Sequence, residues 1–159
     1  MSIETKAEMF LRELRKLYHA ELEILDLHRD LSTAAASAEV SALFASHRED
    51  TTAQINRIEA MFEVIGAEPS ARPSPIMEGL VAEKDEFVGE VESDELRDLD
   101  AIGIGTINER IEITLLDRLI LLATDLDYPD ELVDALRENR SEAEAALEHM
   151  RSLVAAERS

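Results

Sequence analysis

The sequence predicts an all-α protein, a four-helix bundle built from two long helical hairpins with a short extra helix in the connection between them. Apolar residues recur at spacings of three and four along almost the whole chain of 159 residues, as they do on the buried face of a helix. Five glycines and four prolines leave few points at which a helix would end. The length suits one domain, so we expect residues 1–159 to form a single bundle.

The first predicted hairpin joins a helix from about Thr5 to Ala34 with a second helix that reaches Ile65. Ser37 stands where the second helix begins, and a serine at that position can accept a hydrogen bond from a free backbone N–H. Gly66 follows the last periodic residue, and glycine is favoured where the chain turns left-handed after a helix.

The connection between the hairpins begins with a loop over residues 67–75, because three prolines interrupt any regular element there. Pro75 after Ser74 is a favourable helix start, since proline lacks the N–H that would be unpaired at that position. We therefore expect a short helix from Pro75 to about Val91.

The second predicted hairpin joins a helix from Asp94 to about Leu126 with a last helix from Pro129 to about Ala156. Ser93 precedes the first of these helices in the capping position. Gly103 and Gly105 lie inside it, where each glycine costs about 1 kcal/mol relative to alanine. We interpret both glycines as points of close helix packing.

The charge balance excludes several classes of partner. The chain has 36 acidic and 16 basic residues, a formal net charge of -20, which repels the phosphates of nucleic acid and anionic membranes. It has no cysteine, so thiol chemistry, disulfides and iron–sulfur clusters are excluded.

No apolar run approaches the length of about 20 residues that a membrane span needs, and no signal peptide is recognisable. We expect a cytoplasmic protein.

Polar residues interrupt the apolar stripes of three of the four long helices near mid-length, and on the fourth Glu142 lies at the edge of the stripe. These candidate metal ligands are Glu21 on the first helix, His47 and Asp50 on the second, Glu109 and Glu112 on the third, and Glu142 on the fourth. A buried charge costs several kcal/mol unless it is paired, so such a pattern points to a site rather than to a core.

Counting from the turns places these residues at one depth. If the first turn is centred near Ala36, Glu21 lies opposite residue 51, beside Asp50. If the second turn is centred near Asp127, Glu112 lies opposite Glu142. Because the rise per residue is the same in every helix, all four helices can contribute to one layer.

Several carboxylates in one buried layer repel one another, and a cation relieves that repulsion. Carboxylates together with an imidazole suit iron or manganese, so these are the metals we expect. The sequence leaves open whether Asp50, His47 or Gln54 is the ligand from the second helix. A metal-free network of hydrogen bonds that fixes helix register is the alternative interpretation.

Over essentially its whole length the chain resembles the YciE/YciF family of ferritin-like proteins. The matching segments are Phe10-Leu-Arg-Glu-Leu-Arg-Lys-Leu-Tyr-His-Ala-Glu21, His47-x-x-x-Thr51-x-x-Gln54-x-x-Arg57, Met77-Glu-Gly-Leu80, and Leu96-Arg-Asp98 leading to Glu109-x-x-Glu112. The resemblance implies a ferritin-like bundle, a homodimer or larger homo-oligomer, a link to stress responses and metal binding.

The carboxylates Glu21, Glu109, Glu112 and Glu142 are also similar in layout to those of rubrerythrin-type di-iron sites. That likeness implies oxygen or peroxide chemistry, for which electrons would come from an external donor. The chain departs from di-iron bundles on the second and fourth helices, because Ala53 and Ala145 stand where their histidines would be. The sequence leaves open whether the bundle is an enzyme, a metal binder or a structural and interaction protein. Three further histidines are expected to be structural or exposed: His19, His28 and His149.

The acidic surplus also predicts a dependence on salt. The 3 lysines are outnumbered by 13 arginines, and acidic residues are spread over every segment, a composition that we interpret as adaptation to high salt in a halophile. An acidic protein of ordinary salt requirement is the alternative. We expect the melting temperature to fall as KCl is removed, because screening of the repulsion weakens, and full stability below about 0.1 M KCl would contradict this interpretation.

Overall fold

Five α-helices account for most of residues 2–158, the part of the chain that the computed structural model describes, with side chains described through residue 156. They are α1 (Lys6–Ala34), α2 (Ala38–Val64), α3 (Pro75–Glu90), α4 (Asp94–Asp125) and α5 (Asp130–Arg158). The predicted elements and their order are confirmed, and α5 continues two residues past the expected end. None of the described helices is both long and apolar enough to cross a membrane.

Side chains cap three of the helices where the sequence placed their starts, whereas Ser93 precedes α4 as predicted but its side chain forms no capping hydrogen bond. The hydroxyls of Thr5, Ser37 and Ser74 accept hydrogen bonds from the backbone N–H groups three residues on, at 3.1, 3.1 and 3.4 Å. Gly66 after α2 is left-handed, with φ of 71°. Asp127, in the turn between α4 and α5, is also left-handed, with φ of 54°, a conformation that aspartate tolerates better than most residues.

The helices form two antiparallel hairpins, α1 with α2 and α4 with α5, and the hairpins pack together through α1 against α4 and α2 against α5. The short helix α3 covers α1 and α4 from outside. Two apolar clusters fill the bundle at different depths. One lies near the α1–α2 turn and includes Ile24, Phe44 and Met77, and the other lies at the opposite end and includes Phe10 and Phe62.

The side-chain contacts establish the register of both hairpins. Ser32 bonds Ser41, and the Arg48 guanidinium donates to the carbonyl of Leu25, so that both pairs are centred between residues 36 and 37. Arg140 of α5 bonds Asp117 of α4, which centres the second hairpin about one residue beyond Asp127. The turn positions used to align the candidate ligands are therefore correct to within one or two residues.

Asp98 joins the second hairpin to the turn of the first. Its buried carboxylate accepts the backbone N–H of Ala36 at 2.7 Å and that of Ser37 at 3.1 Å. Beside it, the Arg97 guanidinium donates to the carbonyls of Ala34 and Val91. These bonds satisfy backbone groups that the end of one helix and the start of the next leave free.

The two glycines of α4 differ in their surroundings. A Cβ added to Gly105 would lie 2.7 and 2.9 Å from two ring atoms of Phe44 and 3.0 Å from the terminal methyl of Met150. A Cβ added to Gly103 would meet nothing within 4 Å. The interpretation as a point of close packing holds for Gly105, and it is wrong for Gly103 within this chain, because that residue faces outward.

We expect Gly105→Ala to lower the free energy of unfolding by up to about 2 kcal/mol. Overpacking of a core costs about 1–3 kcal/mol, and the better helix propensity of alanine offsets about 1 kcal/mol of it. Gly103→Ala is the matched control, which should raise the free energy by up to about 1 kcal/mol. Urea unfolding of both variants in dilute solution measures the difference, and equal effects of the two substitutions would contradict the packing.

Candidate metal centre

A layer of polar side chains separates the two apolar clusters. Of the six predicted ligands, four are buried in this layer: Glu21, His47, Glu109 and Glu112. Glu142 is half-buried and Asp50 is exposed at the rim. His28, which we expected to be structural or exposed, is fully buried in the same layer.

Three carboxyl groups of α1 and α4, those of Glu21, Glu109 and Glu112, lie together without an arginine or lysine partner among the described side chains. Burial raises the pKa of Glu21 well above its usual range, and the charge of Glu112 and a hydrogen bond with it act in the same direction. The pKa of Glu109 is raised for the same reasons. The Asn108 amide donates to Glu112 at 3.3 Å, whereas Oε2 of Glu21 has no hydrogen-bond partner. Proton uptake is favoured here because like charges are close in a dry environment.

Two histidines and a glutamate from three different helices form the tightest group of possible ligands in the described part of the chain. One ligand atom each of His28, His47 and Glu109 lies within 4.8 Å of the other two, and Nε2 of His28 is 4.0 Å from Oε1 of Glu109. They line a cavity of about 10 Å³, which is about the space that one water molecule needs. The remaining lining residues are Asp50, Thr51, Gln54, Glu142 and Ala146.

Thr51 determines which nitrogen of His28 carries the proton. The Thr51 hydroxyl donates to the carbonyl of His47 at 2.9 Å and lies 3.3 Å from Nδ1 of His28. A hydroxyl has one proton, so it must accept in the second contact, and Nδ1 of His28 must be the donor. Nε2, which faces Glu109, is then left with a free lone pair, the arrangement that outer hydrogen bonds impose on metal-binding histidines.

Both histidines are neutral near pH 7. Burial lowers the pKa of His28 to about 3, with a contribution from the neighbouring His47. Burial also lowers the pKa of His47 to about 4, with a contribution from His149. Nε2 of His28 and Nδ1 of His47 are buried without hydrogen-bond partners. Two neutral imidazoles with unused nitrogens are ready to coordinate a cation without first releasing a proton.

Glu142 is held by a separate network between α2 and α5. The guanidinium of Arg57 contacts one oxygen of Glu142 at 2.8 Å, and the Gln54 amide donates to the other at 3.1 Å. Arg57 also donates to Asn139 at 2.9 Å and pairs with Glu138 at 3.0 Å. The negative charge of Glu142 is therefore neutralised by the guanidinium of Arg57.

The structure thus divides the predicted ligand set. His47 and Glu109 belong to the His–His–Glu group, and Glu21 and Glu112 lie next to it. Glu142 is paired with Arg57, and Asp50 is an exposed residue of the cavity lining. The sequence contained a signal for His28, because it lies seven residues after Glu21 and hence on the same face of α1. It contained no signal for the contact between Thr51 and His28, which depends on side-chain rotamers.

Metal centres in four-helix bundles are built from side chains of facing helices that point into the core. Two imidazole nitrogens and one carboxylate are the ligands of mononuclear iron(II) sites that keep open positions, and they suit manganese and zinc as well. Each imidazole has an unpartnered nitrogen, and the two rings and Glu109 together line a cavity of atomic size. The residues fit a single divalent cation.

Comparison with known proteins agrees with this fold. Residues 5–158 match the family described as "Domain of unknown function (DUF892)". The chain belongs to the DUF892 family. Protein YciF of Escherichia coli (strain K12) is 30% identical over 129 residues, which are 80% of this chain and 78% of YciF. The resemblance to the YciE/YciF family is therefore confirmed.

Two solved structures superpose closely on this DUF892 chain. YcfI from Rhodopseudomonas palustris has a TM-score of 0.91 at 30% identity and covers 94% of this chain and 95% of its own. The E. coli stress protein YciF has a TM-score of 0.90 at 28% identity and covers 95% of each chain. Both are ferritin-like helical bundles, so the predicted ferritin-like four-helix bundle is confirmed.

Removal of one buried carboxylate should stabilise the metal-free protein at neutral and alkaline pH. The raised pKa of Glu21 means that its charged form destabilises the fold, because burial and the neighbouring carboxylates disfavour the charge. We expect Glu21→Gln to raise the melting temperature most above the folded-state pKa. The gain should vanish near pH 4.5, where the carboxyl group is protonated in the folded protein.

Thermal melts between pH 4.5 and pH 9 in a chelating buffer measure this effect. Glu83→Gln, which removes an exposed carboxylate from α3, is the control for the change in net charge and should shift the melting temperature little at any pH. A Glu21→Gln variant that is less stable than the parent across the range would show that the carboxylate is paired in the fold.

Proposed function

We propose that this DUF892 protein binds one divalent transition-metal ion between His28, His47 and Glu109. The observation that supports the proposal is the pair of buried, neutral imidazoles, each with an unpartnered nitrogen, whose ligand atoms lie within 4.8 Å of each other and of a buried carboxylate oxygen. In a metal-free protein that arrangement leaves polar atoms unsatisfied in a dry layer, which costs about 1–3 kcal/mol for each group. A bound cation would satisfy all three ligands together.

Iron(II) is the ion that we favour, with manganese(II) as the second choice. Two imidazoles and a carboxylate leave coordination positions open, and bound iron would supply one-electron chemistry with oxygen or peroxide at those positions. In such a centre Thr51 would orient His28, the two apolar clusters would exclude water, and Glu21 with Glu112 would hold a proton beside Glu109. Electrons would come from an external donor, since the chain has no cysteine to bind a redox cluster.

We favour one ion over the di-iron arrangement because of Arg57. Its guanidinium already neutralises Glu142, the residue that a second ion would need from α5. Asp50, the candidate carboxylate of α2, is among the residues that line the cavity, but it is exposed to solvent. A second cation would have to displace an ion pair and two hydrogen bonds in which Glu142, Gln54 and Asn139 take part.

The relatives suggest the setting. YciF of E. coli is described as a stress protein, and we propose a role in stress for this chain as well. The alternative function is a metal-free structural or interaction bundle, since YcfI is described as structural. The network of Arg57, Glu142, Asn139 and Gln54 favours that alternative, because it joins α2 to α5 without any metal.

Metal content and affinity decide between these functions. Protein stripped with a chelator is dialysed anaerobically against iron(II) or manganese(II), and bound metal is measured by elemental analysis. We expect close to one ion per chain. His28→Gln, His47→Gln and Glu109→Gln should each weaken binding by at least about tenfold, since each removes one of three protein ligands.

His149→Gln and Glu142→Gln are the matched controls and should retain one ion per chain. His149 is exposed although its ring lies 6.2 Å from that of His47, and Glu142 is the carboxylate paired with Arg57. Two ions per chain that are lost in Glu142→Gln would support a di-metal centre instead. If the parent and all the variants contain the same amount of metal, the ion is not held by these residues, and the metal-free bundle would be supported.

A further inference from the structure

The cavity beside His28, His47 and Glu109 has contact with solvent on one side, between α2 and α5. Among its lining residues, His28 of α1 is 1% exposed and Glu109 of α4 is 3% exposed, so both of those walls are closed. The short helix α3 covers the same two helices from outside. Asp50 of α2 is exposed and Glu142 of α5 is half-buried, and both line the cavity. An ion from solution therefore meets the cavity where α2 and α5 adjoin, which we name the α2–α5 seam.

Side chains of α2 and α5 face each other in pairs along the α2–α5 seam. The Gln54 amide donates to Glu142 at 3.1 Å. Seven residues before Gln54 and seven residues after Glu142, the rings of His47 and His149 are 6.2 Å apart. Two antiparallel helices of equal rise keep such a register over two turns, so the positions between these two pairs are also matched.

Asp50 and Ala146 are the pair that this register places between the other two. Each lies four residues from the hydrogen-bonded pair on its own helix. The pairs on either side fill the seam with a hydrogen bond or with two rings, whereas alanine contributes a single methyl group. The Asp50 carboxylate forms no hydrogen bond or ion pair among the described side chains. Because both residues line the cavity, the seam is least filled at the point where the cavity lies behind it.

The charge at this point of the seam favours a cation. Arg57 neutralises Glu142, so Asp50 is left as an unpaired carboxylate at the rim. The chain carries a formal net charge of -20, which draws cations toward its surface. Carboxylate oxygens are ligands that divalent ions bind readily. Asp50 can therefore hold an ion at the surface, three residues along α2 from His47 and on the same face.

We propose that a divalent cation enters the bundle between Asp50 and Ala146, with Asp50 as the first residue that binds it. From Asp50 the ion moves inward to His47 and then to the complete group with His28 and Glu109. Asp50 positions the ion on its way in and is not one of its ligands at equilibrium. This inference rests on the proposed function, because it describes the route to that site.

The route predicts that a bulkier side chain at position 146 slows the ion in both directions. Ala146→Leu should lower the rates of manganese(II) loading and release by the same factor, at least about tenfold, because it obstructs the passage and leaves the bound state unchanged. The dissociation constant, which is the ratio of the two rates, should stay within about threefold of that of the parent. Ala145→Leu is the matched control, since Ala145 is the exposed neighbour on α5 and this variant should exchange the ion at the parent rates.

Asp50→Asn removes the first binding residue without adding bulk. It should lower the loading rate by about threefold to tenfold, and the release rate should fall with it. Glu49→Gln is the matched control, because it removes the adjacent exposed carboxylate and the same charge. Faster release from Asp50→Asn would make Asp50 a ligand at equilibrium, and loading at the rate of Glu49→Gln would show that its carboxylate does not bind the ion first. Either result would overturn the proposal.

Stopped-flow mixing of the metal-free full chain with manganese(II) and a fluorescent chelator measures loading, and mixing of the loaded chain with excess chelator measures release, both at constant salt. An Ala146→Leu variant that loads and releases at the parent rates would overturn the route while the metal centre stays. A parent chain that binds neither manganese(II) nor iron(II) would overturn the metal centre, and the route with it. Because Asp50 is exposed, Asp50→Asn decides about the route even if Ala146→Leu lowers the melting temperature.

Discussion

The buried polar layer at mid-bundle is the constraint on which the rest of this structure depends. Glu21, Glu109 and Glu112 are carboxylic groups without an arginine or lysine partner among the described side chains, and they adjoin His28 and His47. Groups of this kind are stable in a core only if they share protons, bond one another or bind a cation. The apolar clusters on both sides supply the packing that holds the layer dry, and the turn contact of Asp98 aligns the two hairpins so that the layer closes.

Most of the fold could be predicted from the sequence because its elements follow local rules. Ser37 and Ser74 precede their helices as caps, and Gly66 ends α2 as a left-handed residue. The depth of Glu21 relative to the second helix followed from the turn position alone, since helices of equal rise keep their register over the whole hairpin. These properties depend on neighbours in the chain, which are visible in the sequence.

The details of the site depend on contacts between distant segments of the chain. These contacts could not be predicted from the sequence. Arg57 and Glu142 are separated by most of the chain, and only the packed structure shows that they form an ion pair. His28 was underestimated because an isolated histidine on an apolar stripe is usually a structural residue, and its contact with Thr51 requires knowledge of both rotamers. Gly103 and Gly105 look identical in sequence, yet they point to opposite sides of α4.

Arg57 has a consequence for how the protein behaves when metal is scarce. A two-ion bundle depends on its second ion to hold the carboxylates of its outer helices together. Here a side chain that cannot be deprotonated under cellular conditions supplies a permanent positive charge, and it joins α2 to α5 through contacts within the chain. The packing of α2 against α5 therefore needs no bound ion, and this side of the bundle can form whether or not metal is available.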